Sequence, residues 1–222
     1  MVQWIRAIPG YGTLQAMGPS RSIARETNEL GVIRVTDTLT YPVACVWDAS
    51  DTGYGHASVF IQKPSGEFAD ESDRCYASLF PGEDVRTGRP GARKEHLGLG
   101  RKLSASFTTF KEDCASESGE PGGFRLPDHM IPLGNLDQPK MQAAWNAIRD
   151  KPDAHYRLLR KNCSTVAARV IRAGMGTKQL ALTPFLAHKA WWTPYDVLLL
   201  AQFLERSDYD RRIGDLVKAL KL

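Results

Sequence analysis

The stretch from Tyr156 to Ile171, Tyr-Arg-Leu-Leu-Arg-Lys-Asn-Cys-Ser-Thr-Val-Ala-Ala-Arg-Val-Ile, constrains the chain more than any other. It reads as a brief strand that breaks at Asn162 and restarts as a helix with Cys163 in its first turn. Val166, Ala167, Val170 and Ile171 fall at helical spacing, and Gly174 is placed to stop the helix. A thiol at a helix N-terminus lies beside unpaired backbone N–H groups and the positive end of the helix dipole. Both favour the thiolate, so the position suits a nucleophile. The competing reading is a buried, inert cysteine that packs the helix start.

A chain of 222 residues is long enough for a substantial core. The net charge of +4 is small, and no basic run is interleaved with aromatics, which argues against a nucleic-acid partner. Cys45, Cys75, Cys114 and Cys163 lie far apart and form no C-x-x-C pair, so zinc spacing is absent and no metal or cofactor is implied. Low cysteine density favours free thiols. The N-terminus lacks the apolar stretch of a secretory signal, and no apolar run approaches the ~20 residues of a membrane span. Synthesis in the cytoplasm without a cleavable signal is the expectation.

Residues 1–30 read as an N-terminal extension with one short helix through Ser22–Leu30, ahead of a domain spanning 31–222. Strand signals begin at Gly31–Thr36 and recur at Tyr41–Trp47. His56–Ile61 alternates, with His56, Ser58 and Phe60 on one face and Ala57, Val59 and Ile61 on the other. It ends at a hairpin-type turn, Lys63-Pro64-Ser65-Gly66, across which Cys75–Phe80 supplies an antiparallel partner stopped by Pro81-Gly82. Residues 82–135 are rich in Gly, Pro and charge. They read as an insertion, either a surface excursion or a lid over substrate. Asp137 is placed to cap a helix with Met141, Ala144, Trp145 and Ile148 on one face. Thr193 and Asp196 make a capping-box-like start, with Pro194 in the first turn, to a last helix that buries Val197, Leu200, Ala201 and Leu204.

A thiol nucleophile needs a base close in space. Of five histidines, His56 is the best placed: Gly53-Tyr54-Gly55 permits close approach before it, and its strand holds the ring. His155 is the rival by sequence proximity to Cys163. His96, His129 and His188 lie in loop-like sequence. A histidine opening a strand and a cysteine opening a later helix, in that order, together resemble the permuted papain-like thiol hydrolases. That superfamily includes NlpC-type cell-wall peptidases and lecithin:retinol acyltransferase-like lipid enzymes. Tyr76-Ala77-Ser78-Leu79-Phe80-Pro81 is similar to the strand after the histidine in such proteins, and Trp192–Val197 to their tails.

The resemblance implies an α+β, circularly permuted papain-like fold, an antiparallel sheet packed on helices with the nucleophile at a helix N-terminus. It implies Cys163 as nucleophile, His56 as base and a third polar group to orient the imidazole, for which Ser78 stands in the expected strand and Cys75 and Tyr76 are neighbours. Asn162 would donate to the oxyanion or serve as N-cap; Trp191 and Trp192 would line a substrate groove or pack the core. The implied function is an amidase or peptidase on peptidoglycan, an antibacterial toxin of the type VI effector kind active in a target cell's periplasm. A secretion-apparatus carrier and an immunity protein would then be partners. The alternatives are a phospholipase or acyltransferase with the same Cys-His pair, and a non-catalytic binding module.

Overall fold

The computed structural model describes residues 25–27, 33–35, 41–50, 54–61, 75–84, 102–181, 183 and 189–219. The chain divides into two compact units, Met1–Thr38 and Leu39–Leu222. In the first, β1 (Arg25–Thr27) pairs antiparallel with β2 (Ile33–Val35). The helix expected over Ser22–Leu30 is therefore interrupted by a strand: pairing with β2, close by in sequence, decides the conformation of Arg25–Thr27 over its helical pattern.

The second unit is α+β. Its main sheet has the order β5-β4-β3-β8, all antiparallel, from β3 (Val43–Trp47), β4 (His56–Phe60), β5 (Tyr76–Ala77) and β8 (His129–Pro132). A three-stranded sheet joins β6 (Phe80–Asp84), β7 (Leu103–Ser106) and β9 (His155–Tyr156) in that order. The helices are α1 (Phe110–Ser116), α2 (Gln138–Arg149), α3 (Cys163–Gly174), α4 (Thr177–Ala181) and α5 (Pro194–Ala219).

Both faces of the main sheet are covered. Every residue of β3 and β4 is buried, so their alternation sorts side chains between two cores rather than between core and water. Ala57, Val59 and Ile61 join the larger core with Trp145, Val166, Val170, Ile171, Leu200 and Leu204. Phe60 faces the opposite cluster of Val43, Cys45, Trp47, Tyr76, Phe110 and Cys114. Trp47 and Trp145 are both fully buried, and burying a large apolar side chain contributes about 1.5–3 kcal/mol.

Local capping follows the sequence. Asp137 accepts from the Lys140 N–H at 3.0 Å at the start of α2, and Thr193 and Asp196 exchange side chain-to-backbone bonds at the start of α5. Gly174 is the last residue of α3, and its reason is proximity. A Cβ there would sit 2.6 Å from Met141 Cγ, so the missing side chain is what lets α2 and α3 close up.

Two expectations need correction. Cys75–Phe80 is not one strand stopped by Pro81-Gly82. It pairs with β4 only at Tyr76–Ala77, and Phe80–Asp84 enters the other sheet. Proline is tolerated there because β6 is an edge strand, and the register shifts between Pro81 and Asp84. Nor is the second half of 82–135 a surface excursion. It supplies β7, α1 and β8, and β8 extends the main sheet beside β3.

Candidate active site

The start of β4 and the start of α3 meet. Gly55 precedes His56 with φ of 78°, a conformation that favours glycine, and a Cβ there would lie 2.7 Å from the Trp47 carbonyl oxygen. His56 then pairs across the ladder with Trp47. Its ring packs against two aromatics, with centroids 5.3 Å from Trp47 and 4.5 Å from Phe80. At the other pole Asn162 caps α3 by accepting from the Thr165 N–H at 2.7 Å. Cys163 is thereby placed in the first turn, where the N–H groups of Cys163 and Ser164 have no acceptor within the helix.

The starts of β4 and α3 bring the Cys163 thiol close enough to His56 and to the Ala57 backbone for both to act on its titration. The Ser164 hydroxyl lies 3.7 Å from Sγ. Burial pushes the thiol up, yet the charge and hydrogen bond of His56, with the Ala57 and Ser164 contacts, hold it below its ordinary value. His56 mirrors this. Burial works to lower it, but the negative charges of Asp113 and Cys163 and the bonds to both hold it well above its ordinary value. Both shifts act toward a thiolate–imidazolium pair. None of the four cysteines is in a disulfide.

His56 Nε2 lies 3.0 Å from Asp113 Oδ2 and 3.0 Å from Ser78 Oγ. With Nε2 so committed, Nδ1 is the ring nitrogen left for the thiol. Asp113 is fully buried, and a buried carboxylate must be well satisfied to persist. It is: Oδ2 also accepts from Tyr76 Oη at 2.6 Å, and Oδ1 accepts from Thr108 Oγ1 at 2.6 Å. Tyr76 Oη is in turn 2.5 Å from Ser58 Oγ.

Asp113 is the group that sequence reasoning missed. It sits on α1, inside the segment read as an insertion. A signal was present in Thr109-Phe110-Lys111-Glu112, which forms a full capping box (Glu112 N–H to Thr109 Oγ1 at 3.2 Å, Thr109 N–H to Glu112 Oε2 at 2.7 Å). Tyr156 was missed as well: burial, then the nearby Cys163, raises its hydroxyl well above the ordinary phenol value.

Ser78 does touch the imidazole, but alongside the carboxylate. Its Oγ also lies 3.0 Å from Thr108 Oγ1. Asn162 is corrected to N-cap and clamp: both amide hydrogens are committed, to the Leu158 and Trp192 carbonyls at 2.8 Å each, which leaves none for an oxyanion. Trp192 packs in the larger core and does not line a groove, whereas Trp191 is 56% exposed. His155 bonds to the Asp153 carbonyl oxygen, and His129 to Asp48 on the surface. His96 and His188 lie outside the described residues. Among the described residues no cluster could hold a metal ion, and no helix is long and apolar enough to cross a membrane.

Residues 130–212 match the family model of the IcsB middle domain, a span that holds Cys163 but not His56 or Asp113. The chain is 36% identical over 102 residues to a multifunctional-autoprocessing repeats-in-toxin of Vibrio cholerae serotype O1, covering 46% of this chain and 2% of that protein. It is 36% identical over 96 residues to the protein of the same name in Vibrio vulnificus, covering 43% of this chain and 2% of the relative. The chain thus spans a small fraction of the curated relatives it matches. No solved structure matches it significantly. Over nearly half its length this chain is similar to bacterial toxin sequence.

Proposed function

We propose that the chain is a toxin-like effector domain that carries out acyl chemistry through a Cys163 thioester, on a permuted papain-like arrangement of sheet and helix. The observation that carries this reading is the meeting of the starts of β4 and α3, which gathers buried His56 and Cys163, with His56 Nε2 3.0 Å from the buried Asp113 carboxylate.

Each group has a task. Thiolate Cys163 attacks a carbonyl carbon, and the carbonyl electrons move to oxygen. The developing oxyanion is met by the free N–H groups at the start of α3. Imidazolium His56 gives its proton to the leaving amine or alkoxide as the carbonyl reforms, which leaves a thioester. Neutral His56 then takes a proton from water, the hydroxide adds, and the thiolate leaves with the acyl group released as acid. Asp113 fixes the ring and stabilises the imidazolium in both halves.

An amide or peptide bond is the proposed target, with peptidoglycan peptides as substrate and a target cell's periplasm as the site of action. The toxin relatives support an effector role without bearing on which bond is broken. The test incubates purified protein with peptidoglycan fragments and, separately, with phospholipid vesicles, and identifies products by mass spectrometry. Release of peptide supports the reading; release of fatty acid replaces the substrate with lipid. A Cys163→Ala protein as active or as toxic as the wild type removes the thioester mechanism altogether.

A further inference from the structure

Outside the buried site, the surface at the start of α3 is unusual in composition. The five residues before Asn162 form a tight turn in which the Lys161 N–H donates to the Arg157 carbonyl oxygen at 2.9 Å and the two residues bridge. Arg157, Arg160 and Lys161 are all exposed on it. None of the three is in an ion pair among the described residues. Lys161 senses the crowding: burial first, then the charges of Lys151, Arg157 and Arg169, lower it from its ordinary value against the single opposing charge of Asp153.

The same turn carries an exposed apolar side chain, Leu159, 48% accessible. Asn162 ties this turn to the entry of α5, because one amide group holds both the Leu158 and the Trp192 carbonyls. That entry exposes Trp191 and Tyr195, 56% and 63% accessible, with Leu199 one helical turn on from Tyr195. Large apolar side chains grouped on a surface and rimmed by charge mark an interaction site. Lysine and arginine beside tryptophan, tyrosine and leucine make the composition of an interfacial membrane contact: the rings lie at headgroup depth and the cations meet anionic lipid.

We propose that the surface formed by the Arg157–Lys161 turn and the Trp191–Leu199 segment docks onto an anionic phospholipid bilayer. The charge complementarity selects this occupant: three exposed cations in one turn, in no ion pair among the described residues, beside exposed Trp191 and Tyr195, favour an anionic surface with an apolar layer beneath it. Docking here does not depend on the thiol chemistry. It brings the start of α3, and so Cys163, to the plane of the membrane.

Cosedimentation of the full chain tests this with vesicles of phosphatidylcholine alone and of phosphatidylcholine mixed with phosphatidylserine, at low and high salt. The protein should pellet with the mixed vesicles, and less so at high salt. Charge reversal by Arg160→Glu with Lys161→Glu should weaken binding about tenfold or more. Trp191→Ser with Tyr195→Ser should weaken it comparably at either salt. Brominated lipid in the mixed vesicles should quench tryptophan fluorescence in the unsubstituted protein, and markedly less in Trp191→Phe. Failure to pellet with mixed vesicles at low salt overturns the proposal. So does binding sensitive to the charge reversal alone, which would be adsorption to any polyanion, or quenching that Trp191→Phe leaves unchanged.

Discussion

Asp113 offers the sharpest test of the site, because its carboxylate can lose its charge while keeping its shape. In Asp113→Asn the amide oxygen can occupy the Oδ2 position and go on accepting from Tyr76 and from His56 Nε2, now at 2.6 and 3.0 Å. The amide NH2 then faces Thr108, whose hydroxyl can rotate to accept it and turn its own proton toward Ser78 Oγ, 3.0 Å away. The hydrogen bonds are largely retained and the negative charge is gone. Opposite unit charges about 4 Å apart interact by about 4 kcal/mol at an effective dielectric near 20. That is support removed from imidazolium His56. The thiolate–imidazolium form should lose up to about a thousandfold in population relative to thiol and imidazole.

Alkylation of Cys163 by iodoacetamide, followed by peptide mapping across pH, reads this without knowledge of the substrate. In the wild type Cys163 should react faster at pH 6 than an ordinary thiol, whose value is about 8.5, because its thiol is held down by His56. Cys45, pushed well up by burial, and Cys114, pushed up to about 12, should remain inert there. In Asp113→Asn the rate at pH 6–7 should fall at least about tenfold, and the gap should narrow as pH rises past 9. An unchanged pH profile would mean that Asp113 does not govern the pair, and the proposed division of labour would be wrong. Asp113→Ala is a different perturbation: it strands three buried donors and should cost about 3–5 kcal/mol in urea unfolding.

Three further substitutions probe the frame around the pair. Tyr76→Phe leaves the buried Ser58 hydroxyl without its 2.5 Å partner and removes one donor from Asp113; urea titration should show a loss of about 1–3 kcal/mol. Asn162→Ala removes the cap of α3 and the clamp to Trp192, and should cost about 2 kcal/mol or slightly more, seen as a lower midpoint at unchanged slope. Gly55→Ala forces a Cβ to 2.7 Å from the Trp47 carbonyl oxygen at φ of 78°, a strain of about 1–3 kcal/mol. Because Gly55 adjoins His56, the same variant should also slow Cys163 alkylation at pH 6, which strain elsewhere in the fold would not do.

What was legible in the sequence was whatever short-range pattern dictates. Asp137, Asn162 and Thr193 announced three helix starts because a cap is a local event, complete within four residues. The alternation of His56–Ile61 announced its two faces, although with both faces buried it could not say which was which. Sequence order brought out Cys163 and His56, since each opens an element whose end is fixed by its own neighbours. Ser78 came out beside the imidazole because β5 must run antiparallel to β4 after the turn. Asp113 stayed hidden because its position depends on pairings that no local period encodes: β7 against β6, and β8 against β3. Glycine and proline in 82–135 looked like the absence of structure. In Pro81-Gly82 they allow an edge strand to bend.

The burial of Asp113 says more than its identity. An exposed carboxylate beside His56 would be screened by water and could not hold an imidazolium well above its ordinary value against the cost of burying it. Asp113 is fully buried on α1 between Phe110 and Cys114 of the second core, which makes the charge effective, and the hydroxyls of Tyr76 and Thr108 make it tolerable. The second core is therefore the low-dielectric surround through which the Asp113 charge is felt at His56. A change that lets water into it, such as Phe110→Ala, should weaken thiol reactivity at pH 6 even though the side chain touches neither reacting atom. Truncation of a buried phenylalanine costs about 3–5 kcal/mol, so alkylation must be measured on the fraction shown by circular dichroism to be folded. Full reactivity in that folded fraction would show that hydrogen bonds alone sustain the pair.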